Sequence, residues 1–167
     1  AENLDGKTVC VSLYINGESQ TWKGHDDLKE KYRQNLGMAA SWLTDRVADY
    51  GKSAEFIWDW EQYPELCFDI DEPRLGYDFG LSENDGYNLL WDFMNNEVPS
   101  EKLLEKFGAE NIIYIAFFNT PSSADMISYA QDCYFNREYS YDTIYLSTGN
   151  SGNEATATTL AHEILHL

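Results

Sequence analysis

The stretch that most constrains the fold is Asn111 to Phe118, NIIYIAFF, which is apolar at every position from Ile112 onward. A membrane span needs roughly twenty apolar residues, so a run this short belongs inside a protein core. A strand that is apolar at consecutive positions, not alternating ones, is buried on both faces. The sequence therefore predicts a sheet with this strand at its centre and other elements covering both sides. Asn119-Thr120-Pro121-Ser122-Ser123 breaks the strand.

The rest of the chain supplies the covering elements. Lys7 to Ile15 alternates Val9, Val11 and Leu13 against Cys10, Ser12 and Tyr14, which predicts a first strand ended by Asn16-Gly17. Asp26 or Asp27 is expected to cap a long helix through Leu28, Tyr32, Leu36, Ala39, Ala40, Leu43, Val47 and Tyr50, stopped by Gly51. Glu55 to Trp60 reads as a second strand, so the chain opens as strand, helix, strand, a unit that pairs its strands in parallel through a right-handed crossover. Leu66 to Ile70 is a short strand, followed by a loop around Pro73, Gly76 and Gly80. Nearby Asp69, Asp71 and Glu72 raise the possibility of calcium, but they lack the twelve-residue loop and its closing Glu, and they read as solvated acids. Tyr87 to Glu97 is helical with Leu90, Phe93, Met94 and Val98 on one side, and Ser100 opens a short helix that Gly108 closes. Met126 to Phe135 is irregular, Thr143 to Leu146 is a strand, Ser147 to Asn153 a polar turn, and a last helix starts near Glu154. Without repeats or linkers, this is one α/β domain over residues 1–167.

That last helix carries Ala161-His162-Glu163-Ile164-Leu165-His166-Leu167, with the pattern H-E-x-x-H. Residues four apart on a helix share a face, so the imidazoles of His162 and His166 are expected to converge on one tetrahedral ion. Glu163 can then take a proton from water on that ion, and the resulting hydroxide attacks an amide carbonyl. The implied reaction is peptide-bond hydrolysis, with Zn2+ as cofactor and a peptide or protein as substrate.

The order of elements, ending in a helix with His162, Glu163 and His166 approached by Thr158-Thr159-Leu160-Ala161, resembles the amino-terminal half-domain of zincin metallopeptidases, in particular the metzincin clan. The resemblance implies an α/β (α+β) zincin-like fold: a mixed, mostly parallel twisted sheet, a long backing helix and a carboxy-terminal active-site helix. It implies that His162 and His166 are zinc ligands, and that Glu163 is general base and later proton donor to the leaving amine. It also implies an edge strand, antiparallel to its neighbours, that binds extended peptide by strand addition, expected here between Ile127 and Phe135.

Metzincins continue as H-E-x-x-H-x-x-G-x-x-H or end the pattern with Asp, and here one residue follows the second His. A catalytic zinc usually has three protein ligands and an open position. The expectation is therefore that Leu167 is not the natural end, and that a further subdomain carries the third ligand. Otherwise that ligand lies upstream, among Cys133, Cys67, His25 or the carboxylates. An upstream Cys would be similar to the arrangement of peptide deformylases, whose Gly-rich and Cys-containing motifs are absent. His25 reads as a surface residue. Two other readings are a zincin-like binding module without catalysis and a metal-dependent RNase, the latter disfavoured by Glu163.

Charge bears on the partners. With 29 acidic and 11 basic residues the net charge is −18, which repels a nucleic-acid backbone and an anionic membrane surface. Acids spread along the whole chain read as a solubility device. Cys10, Cys67 and Cys133 are odd in number and lack a C-x-x-C spacing, so each reads as a small buried hydrophobe and no disulfide framework is indicated. The chain begins at Ala1 without an initiator methionine, and a removed leader with an extracellular or cell-envelope location is the expectation.

Overall fold

A computed structural model describes residues 4–17, 20–76, 83–120, 127–133, 141–148 and 156–167. In chain order the elements are β1 (Gly6–Asn16), α1 (Asp26–Ala48), β2 (Ala54–Ile57), β3 (Cys67–Asp71), α2 (Glu83–Glu97), α3 (Ser100–Phe107), β4 (Asn111–Phe118), β5 (Tyr129–Gln131), β6 (Thr143–Ser147) and α4 (Ala157–Ile164). The strands form one sheet in the order β2-β1-β4-β6-β5, with β3 pairing the second half of β1. All pairs are parallel except β5 with β6. The fold is thus an α/β mixed fold with a mostly parallel sheet, as expected from the sequence.

The apolar run at 111–118 lies where its composition demands, between β1 and β6. Its two faces enter two separate cores. Ile113, Ile115 and Phe117 join Cys10 and Tyr14 of β1 and Ile144 and Leu146 of β6 beneath α1 and α4. Tyr114, Ala116 and Phe118 join Val9, Val11, Leu13, Ile15 and Tyr145 beneath α2 and α3, where Leu90, Met94, Val98 and Leu103 close the layer. Three layers result, and the middle one is apolar on both sides because neither face meets water.

Several boundaries differ from those the sequence predicts. The cap of α1 is His25, with Asp26 and Asp27 inside the first turn, where their charge complements the helix dipole. The His25 side chain makes no capping hydrogen bond; its carbonyl accepts from Leu28 and Lys29. Tyr50 is 84% exposed because α1 ends at Ala48 and Gly51, at φ 72°, turns the chain. Strand β2 stops at Ile57 because residues 58–61 wrap a cation instead: Arg33 lies over the rings of Trp58 and Trp60 and pairs with Asp59 and Glu61. A single turn of 3-10 helix, Pro64–Leu66, that the sequence did not suggest leads into β3. The α2 helix begins four residues before Tyr87. Gly108 closes α3 in the left-handed conformation at φ 58°, as a helix-stopping glycine should.

The three acids near β3 each face a cation: Asp69 accepts from Lys29, Asp71 pairs with Lys23 and Glu72 with Arg74. They are neutralised by the protein itself. Among the described residues no helix is long and apolar enough to cross a membrane.

Candidate active site on α4

Helix α4 starts at Ala157, later than the expected start near Glu154, a residue outside those described. Thr156 sets that start: its side-chain oxygen accepts from the Thr159 amide at 3.1 Å, satisfying one of the free donors of the first turn. The helix is only eight residues long, too short to be stable alone, and it is held by packing on α1, β5 and β6. Leu160, Ala161 and Ile164 enter the core it shares with α1.

The α-helical pattern ends at Ile164, so the second His of the motif lies beyond it, contrary to the expectation that both sit on the helix. The chain tightens there. Leu165 still donates to Ala161, but His166 donates to Glu163 and Leu167 to Ile164, each three residues back. This 3-10-type closure satisfies the terminal carbonyls, and Leu167 is buried in the core under α1, which pins the turn.

The two imidazoles nevertheless meet. His162 Nε2 and His166 Nε2 lie 3.0 Å apart on the exposed face, with ring centroids 4.7 Å apart and the rings nearly perpendicular. Two nitrogens that each lie about 2.0–2.1 Å from a tetrahedral zinc are roughly 3.3 Å from one another, so the pair needs to open by only a few tenths of an ångström to hold one ion.

Glu163 differs from the two imidazoles in burial. It is 6% exposed, and no other Asp, Glu, Lys or Arg among the described residues is buried. Burying a charged side chain is unfavourable unless something compensates or function requires it. At about 100° per residue, Glu163 lies on one flank of His162 while Ala161 and Leu165 lie on the other. The second flank faces α1 across a groove of about 550 Å³ lined by Met38, Ala39, Trp42, Ala157, Thr158, Ala161, His162 and Leu165. Met38, Trp42 and Leu165 are 56%, 49% and 46% exposed there, and among the described residues no carboxylate, lysine or arginine lines the groove. Since α1 packs on β2 while α4 packs on β6 and β5, the Glu163 flank is the one nearer the β5 edge.

The described residues among those weighed upstream as a third ligand do not join the pair. Among the described residues no group of three or more His, Cys, Asp or Glu side chains is placed to hold a metal ion. His25 is exposed at the start of α1. Cys67 begins β3 at the opposite edge of the sheet from α4, and burial pushes its thiol up to about 11. Cys133 follows β5, its amide donating to Asp142, and burial together with that carboxylate pushes its thiol up to about 12.

Strand β5, Tyr129–Gln131, lies inside the interval expected for an antiparallel edge strand and pairs antiparallel with β6; its three residues carry no alternation, so the residue pattern did not fix its bounds. One feature of the region was not visible in the sequence. The groove beside His162 escaped notice because Met38 and Trp42 fit the helical periodicity of α1 loosely and their exposure depends on where α4 docks. Compared with protein-family models, curated proteins and solved structures, the chain matches none.

Proposed function

We propose that the chain is the catalytic part of a zinc-dependent peptidase of zincin-like, metzincin-like fold, with His162 and His166 as two of the zinc ligands and Glu163 as the general base. The observation that carries this reading is the convergence of the two imidazoles at 3.0 Å beside the only charged side chain that is buried among the described residues. The four-residue spacing brings the imidazoles together by itself, but it gives no reason for the Glu beside them to be buried. Zinc, when bound, supplies a Lewis acid and an acidic water. Glu163 accepts the proton of the attacking water and returns it to the leaving amine, and its enclosure strengthens that exchange by excluding bulk solvent. Strand β5, an antiparallel edge on the Glu163 side of α4, is where an extended peptide would add by main-chain hydrogen bonds.

The strand order with one antiparallel edge, the 23-residue α1 behind the sheet and α4 after β6 support the zincin-like reading. A second reading has its own observation. With no third ligand among the described residues, a zincin-like module that binds but does not cleave fits the same geometry.

Metal analysis and a peptide-library digest separate the two. We expect one zinc per chain, lost in His162→Ala and in His166→Ala, and cleavage that disappears in Glu163→Ala while zinc stays. Zinc retention without cleavage by the wild-type chain would favour the binding module, and unchanged cleavage by Glu163→Ala would overturn the role given to Glu163.

A further inference from the structure

No further inference is drawn: the strongest candidate, the uncharged groove between α1 and α4 around Met38, Trp42 and Leu165, lies on the flank of α4 turned away from Glu163, and nothing in the structure shows what covers it.

Discussion

If His162 and His166 chelate zinc, the folded chain binds the ion and the unfolded chain does not, so thermal stability reports the site without any substrate. The structure sets the scale of the response. The imidazole nitrogens start 3.0 Å apart, and both rings are exposed, so binding opens no core. Nearly all of the binding free energy should therefore appear as stabilisation. At about 100 times the dissociation constant that amounts to about 2.7 kcal/mol. A domain of 150–250 residues shifts its Tm by about 2–4 °C for each kcal/mol, so the expected rise is about 5–11 °C. The assay is scanning calorimetry with zinc at that excess, the dissociation constant having been measured by competition with a chromophoric chelator. Removing either imidazole should leave a rise of less than about 2 °C, because one exposed nitrogen cannot chelate. Glu163→Gln should keep the full rise, because that side chain is not a ligand. An undiminished rise in the His162→Ala/His166→Ala double variant would place zinc elsewhere and refute the argument.

Three other outcomes follow from the packing and the charges. Phe117→Ala should destabilise the fold by about 3–5 kcal/mol in urea titrations, since a fully buried ring stacked 4.8 Å from Tyr14 leaves a cavity between sheet and α1; a loss below about 1 kcal/mol would mean the core collapses around it. Arg33 holds the Glu30 carboxyl down to about 2 through a direct hydrogen bond. Because folding lowers that value, the pairing stabilises above the ordinary carboxylate range and is lost as pH falls through it toward about 2. A carboxyl NMR titration should show the low midpoint, returning toward the ordinary range in Arg33→Ala, and an unchanged midpoint in that variant would remove Arg33 as the cause. Cys10 is fully enclosed and its thiol is pushed up to about 12 by burial, so at pH 8 it should resist iodoacetamide until the chain unfolds; rapid native labelling would contradict its placement in the core.

How much of this was legible beforehand depended on whether a signal was local. The central position of 111–118 could be read from its composition, because an apolar strand has no solvent face to offer. The end of α3 could be read from Gly108, which acts on its own turn. That the His162 and His166 rings meet was legible from their four-residue spacing. The end of β2 was not, since it is set by Arg33, more than twenty residues earlier in the chain. Nor was the burial of Glu163, which periodicity places no more firmly inside than outside. The tight turn that carries His166 depends on Leu167 finding the core, a tertiary contact that no helix periodicity contains.

The sharing of one side of β1 by β2 and β3 bears on how the protein behaves at high concentration. An open sheet edge is a template on which another chain can add a strand, and its hazard grows with its uninterrupted length. Here an eleven-residue strand is flanked by pieces of four and five residues, separated by the corner that Arg33 organises. An incoming strand finds no long ladder to extend, and it approaches a chain of net charge −18. Loss of the Arg33 corner should therefore show first as association between chains rather than as loss of secondary structure.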